Sequence, residues 1–101
     1  LTRVIEDAVL EQTAADDGKE VAGALVLIFD HHRADFMREF TAVQHDCHSV
    51  ILASQHIHVD HHNCLETITM RGKPSVLNAL ADRILSLKGV KHGKLVFTVL
   101  D

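Results

Sequence analysis

The chain has 101 residues, 47% of them hydrophobic, and a formal net charge of −4. That length supports one domain with a modest core. The apolar share excludes a disordered chain, and the acidic balance argues against direct binding to nucleic acid.

The longest apolar run, Ala22 to Phe29, is too short to cross a bilayer and is followed by Asp30, His31 and His32. Nothing resembles a signal peptide, so a cytoplasmic protein with no membrane contact is expected. The start at Leu1 rather than Met suggests a piece of a longer chain.

Val4, Ile5, Ala8 and Val9 have helical spacing, and Thr13 to Gly18 reads as a linker or helix end. Ala24 to Phe29, rich in branched residues, is a predicted buried strand. From Arg33 to Gln44, Phe36, Met37, Phe40 and Val43 fall at i, i+1, i+4 and i+7, which predicts a helix with one buried face. Ser49 to Val59 is a predicted strand, with His56 and His58 on one face and Ile57 and Val59 on the other. Asp60, His61, His62 and Asn63 form a turn, and Cys64 to Met70 closes a hairpin that ends at Gly72. Pro74 suits the first position of a helix carrying Val76, Leu77, Leu80, Ile84 and Leu87, with Gly89 as its C-terminal cap. Leu95 to Leu100 is the final strand.

The order β-α-β-β-α-β is the ferredoxin-like arrangement of the α+β class: a four-stranded antiparallel sheet with both helices on one face, here preceded by a helical tail. The helix-free face must then be solvated, ligated or buried against another subunit. It is expected to carry Val50 and Leu52 beside the site.

Histidine is the oddity of the composition. The chain has nine, and all but His92 lie between His31 and His62. Internal histidines interleaved with apolar residues point to metal rather than to a tag. In the predicted hairpin His56 and His58 share a face, roughly 6.6 Å apart. A turn centred near His61 sets Cys64 opposite His58, about 4.5–5.5 Å away at Cα. Two imidazoles and a thiolate then converge on one point. Glu66 falls on the same face one step further, placed to orient a histidine ring.

The other candidates rank lower. His31 and His32 are expected to be solvated, or at most a weak secondary site. His48, His61 and His62 read as exposed turn residues, His92 as a loop residue and Cys47 as a buried thiol. Two cysteines do not make a disulfide framework and fit a reducing cytosol. Cys64 beside a histidine base is also a nucleophile pattern. No phosphate loop, oxyanion turn or carboxylate cluster accompanies it, so no enzyme is expected. His45 precedes His56 by a stretch read mostly as strand. With only eight of those residues extended, it would stand about 25 Å from His56, too far to share an ion within one chain.

The string Gln44-His45, ten residues, then His56-x-His58-x₅-Cys64-Leu-Glu66 resembles the ligand motif of the nickel-responsive transcriptional repressor family. Gly89-Val90-Lys91-His92-Gly93 resembles a further stretch of it, and the similarity covers about residues 20 to 101. The resemblance implies a nickel-binding regulatory domain of the ACT type over residues 21–101, with a linker over 15–20. Residues 1–14 would be the C-terminal remnant of a ribbon-helix-helix DNA-binding domain. It further implies Ni(II) held by His56, His58 and Cys64 of one subunit and His45 of its neighbour, with Gln44 and Glu66 around the site. The assembly implied is a homotetramer, a dimer of dimers, at least dimeric for these residues, binding operator DNA through the N-terminal domain. Three imidazoles and a thiolate in a plane favour square-planar d⁸ Ni(II), whereas Zn(II) prefers a tetrahedron. Two alternatives stand beside this reading. One is a metal storage or chaperone domain with no DNA role; the other is an ACT-type sensor of a small organic ligand.

Overall fold

Strand β1 (Val21–Asp30) organises the domain in the computed structural model, which describes residues 18–101. It runs between β3 (Asn63–Gly72) and β4 (Val90–Val99), and β2 (Ile51–His58) lies outside β3. Every neighbouring pair is antiparallel, giving the order β2-β3-β1-β4. Helices α1 (Ala34–Asp46) and α2 (Pro74–Leu85) make the two crossovers. This is the expected ferredoxin-like α+β fold. The helix expected over Leu1 to Gln12, and residues 15–17 of the linker, lie outside the described residues.

One face of β1 builds the core. Side chains alternate along a strand, and Val21, Leu25, Leu27 and Phe29 are the buried set. Phe36, Phe40 and Val43 from α1 pack onto them, as do Leu77, Leu80, Ala81 and Ile84 from α2. Both helices therefore cover the same side of the sheet. Their buried stripes are narrower than the sequence pattern predicts, for Met37 and Val76 are 37% and 42% exposed. A helix lying on a flat sheet buries one row of side chains, and residues one position to the side face water.

The strands are longer than their apolar runs. β4 starts at Val90, not Leu95, because Val90 and His92 to Lys94 pair with β1 despite having no strand pattern of their own, with Lys91 at the register shift between them. This places His92 in a strand rather than a loop. Gly93 lets α2 lie close to the sheet there: a Cβ would overlap Leu85 Cδ2, which would have to swing aside. Gly89 does not cap α2, which ends earlier with the Ser86 N–H bonded to Asp82. Instead Gly89 turns the chain at φ +100°, and its carbonyl accepts a hydrogen bond from Asp30 N at 2.8 Å.

The helix-free face differs from expectation. By register it carries Val26 and Ile28 of β1, Leu65 of β3, Ile57 of β2 and Val96 of β4. Val50 instead sits in the turn before β2 and packs against the core, while Leu52 falls at a register shift between Ile51 and Ala53. His56, His58 and Cys64 are not on this face either.

Candidate metal centre

The hairpin register is the one the alternation predicts. His58 stands directly opposite Cys64 and His56 opposite Glu66. Val59 N–H donates to Asn63 at 3.0 Å to close the turn. The Asp60 carboxylate accepts from the backbone N–H groups of His62 at 2.8 Å and Asn63 at 2.9 Å, and from the Asn63 side-chain amide. These bonds, the Asn63 side chain first, hold the Asp60 carboxyl below its ordinary range.

The site's face is a correction. Cys64 pairs with Phe29 and Glu66 with Leu27, so both point toward the helices. Cys64 is 1% exposed and Glu66, a carboxylate, only 2%. His56 and His58 share that side, but β2 is the edge strand beyond the helices' cover, so their rings are exposed at its rim. Phe29 forms the floor beneath them, stacked on Phe36 at 4.0 Å and 5.4 Å from the His56 ring.

Each donor has a definite partner. His56 Nδ1 bonds Glu66 Oε1 at 2.9 Å. A proton on Nδ1 serves that bond and leaves Nε2 with its lone pair for a metal. Burial raises the Glu66 pKa, and the bond from His56 opposes that rise. Burial also pushes the Cys64 thiol up, helped by the nearby carboxylates of Glu66 and Asp60. A cation would reverse this, since a coordinated thiol gives up its proton.

The third partner of Cys64 is one that sequence reasoning set aside. His31 Nδ1 lies 3.4 Å from Cys64 Sγ, and the His31 and His58 rings are 4.0 Å apart. Among the described residues, His31, His58 and Cys64 are the group whose metal-donor atoms converge, all within 4.8 Å of one another. Loss of water around the ring, and then the His58 imidazole, lower the His31 pKa. The one local signal was its position just after a strand. Its neighbours depend on the β1–β3 register, which no local pattern encodes.

His45 lies elsewhere. It is exposed in the last turn of α1 and belongs to no such group among the described residues. The expected extended stretch before His56 is shorter than the spacing suggests: residues 47–50 form a turn, and only Ile51 onward is strand. Gln44 is engaged by a neighbour on β2. Its amide donates to Ser54 Oγ at 2.8 Å, tying the end of α1 to β2 two residues before His56. Cys47 is half-buried against the core, and His48, His61 and His62 are exposed. No helix among the described residues is long and apolar enough to cross a membrane.

Comparison with known proteins places the chain among nickel-responsive regulators. A nickel-responsive regulator of Nitratidesulfovibrio vulgaris (strain Miyazaki F) is 42% identical over 95 residues, covering 94% of this chain and 68% of its own length. One from Pyrococcus furiosus is 44% identical over 95 residues, covering 94% and 69%. One from Thermococcus kodakarensis is 50% identical over 80 residues, covering 79% and 58%. The structure of an uncharacterized protein from Thermotoga maritima superposes with a TM-score of 0.69 at 16% identity, covering 78% of this chain and 98% of that one, a likeness of fold alone. Residues 22–98 match the family model described as the NikR C-terminal nickel-binding domain, and the chain belongs to that family.

Proposed function

We propose that this chain is the nickel-sensing regulatory domain of a Ni(II)-dependent DNA-binding repressor. In this reading residues 21–101 hold the metal, residues 15–20 are a linker, and residues 1–14 end a ribbon-helix-helix DNA-binding domain. His56, His58 and Cys64 provide three donors, and His45 of a second copy provides the fourth. The observation that carries the reading is the pairing of His58 with Cys64 and of His56 with Glu66 on one face of the hairpin. Imidazole and thiolate donors suit a late first-row divalent ion, so the residues present fit nickel.

Each residue has a task. Glu66 fixes the His56 ring and its tautomer through Nδ1, so that Nε2 is presented without a search over rotamers. Cys64, shielded from water, is the donor whose proton must leave. Phe29 and Phe36 give the site a rigid apolar floor. The metal, when bound, supplies a bond between subunits, and through it a coupling between nickel concentration and the placement of the DNA-binding domains. Sharing across a two-fold axis creates equivalent sites in pairs, and a dimer of dimers would bury the exposed Val26, Ile57 and Val96.

Mixed oligomers of His45→Ala and Cys64→Ala chains test this. Sharing predicts that neither parent binds Ni(II) tightly while each mixed pair recovers one site, formed from the Cys64 of one chain and the His45 of the other. Absence of any recovered high-affinity site in verified mixed pairs would overturn it.

A further inference from the structure

His45 sits in the last turn of α1, and each of its sequence neighbours is tied to a different element. The Gln44 amide donates to Ser54 Oγ at 2.8 Å, on β2. On the other side, the Arg83 guanidinium in the last turn of α2 donates to the Asp46 carboxylate at 3.3 Å. Successive helical residues step by about 100°, so His45 stands about 160° from Val43 around the axis. Val43 is buried in the core. His45 therefore faces away from the core, exposed, with a tied residue on either flank. The chain just beyond is fixed as well. Cys47 packs against the core, and its carbonyl accepts from the N–H groups of Val50 at 3.0 Å and Ile51 at 3.1 Å. Ser54 lies opposite Ile68, on the same side of β2 as His56 and His58.

We propose that Ser54 and Arg83 are positioning residues for the fourth metal donor: they brace the helix turn on both sides of His45, so that its imidazole is presented outward to a second copy of this chain. Neither side chain touches the metal in this arrangement. A helix end frays unless something holds it, and a donor on a frayed turn must be ordered when it binds, which weakens binding. A braced turn is ordered on folding instead. Ser54 carries the larger part, because the Arg83–Asp46 pair is about half exposed on both sides and screened by water. Since β2 also carries His56 and His58, the brace fixes the donor that a chain gives away relative to two that it keeps. The positioning role rests on the nickel reading; the brace itself does not.

Two measurements on the 101-residue chain test this. The first is amide hydrogen exchange by NMR in metal-free buffer, which reports the brace alone. Ser54→Ala is expected to speed exchange at Gln44, His45 and Asp46 by about 2- to 10-fold, the worth of one neutral hydrogen bond. Arg83→Met should speed it less, and Ser54→Thr and Arg83→Lys, which keep the hydroxyl and the charge, should restore the slow rates. Unchanged rates in Ser54→Ala overturn the proposal without reference to metal, and unchanged rates in Arg83→Met remove Arg83 from the brace. The second is a Ni(II) titration in competition with a chromophoric chelator. Ser54→Ala is expected to bind about 10-fold more weakly, the loss seen when an outer partner of a metal ligand is removed, and Ser54→Thr to recover it. In a His45→Ala background Ser54→Ala should have no further effect. Full Ni(II) affinity in Ser54→Ala, or an equal loss in the His45→Ala background, would show that Ser54 does not act through His45. If His45→Ala itself binds Ni(II) like wild type, the nickel reading fails and the positioning role goes with it, while the exchange rates still record whether the brace exists.

Discussion

Replacing His56 by alanine should cost more stability than its exposure implies. Its imidazole is 43% exposed, but it donates to a Glu66 side chain that is 3% exposed. Truncation strands a buried carboxylate, and an unsatisfied buried group costs about 1–3 kcal/mol. Water can enter where the exposed ring stood and relieve part of this, so the lower half of the range applies, about 1–2 kcal/mol. At about 4–8 °C per kcal/mol for a domain of this size, the melting temperature should fall visibly. The control is Glu66→Leu, which removes the carboxylate that burial disfavours and fills the space with apolar atoms. In that background His56→Ala should be nearly neutral. Urea unfolding of the four proteins in metal-free buffer gives the coupling, expected at about 1–2 kcal/mol. An equal cost of His56→Ala in both backgrounds would refute the dependence of Glu66 on this histidine.

Alkylation should distinguish the cysteines: iodoacetamide should modify half-buried Cys47 before Cys64, which is 1% exposed with its thiol pKa raised by burial. Peptide mapping checks the order, and equal rates would contradict the burial of Cys64. Phe36→Ala should cost about 3–5 kcal/mol, because the ring is fully buried and stacked on both Phe29 and Phe40. A loss under about 1 kcal/mol in denaturant titration would mean that the aromatic floor is not packed as described. Gly93→Ala should destabilise by about 1–3 kcal/mol, toward the lower end because the obstructing atom is the tip of Leu85 and can swing aside. A stability gain there would show that α2 is not seated on β4.

The Arg33 side chain holds the Asp35 carboxyl at about 2, below its ordinary 3.8. A lowered carboxylate contributes stability above its unfolded value and loses it as pH falls through the folded one, here between about 4 and 2. Asp35→Asn should flatten acid unfolding in that window when followed by circular dichroism, and an unchanged profile would refute the pairing.

The order of elements was legible in the sequence because each carries a local period: alternation around His56 and His58, helical spacing from Phe36 to Val43, and Pro74 opening the second helix. The hairpin register followed from the turn length alone, since a strand's side chains alternate and a few residues between strands fix what stands opposite what. That alternation is enough to set His56, His58, Cys64 and Glu66 on one face. Which side of the sheet that face occupies was not legible. It depends on β3 pairing with β1, which sets Cys64 against Phe29 and turns the group toward the helices. The same long-range pairing brings His31 to Cys64 across 33 positions of sequence, and it draws His92 to Lys94 into a strand they have no propensity to form. Local periods decide what an element is; only the packing of distant elements decides which side chains meet.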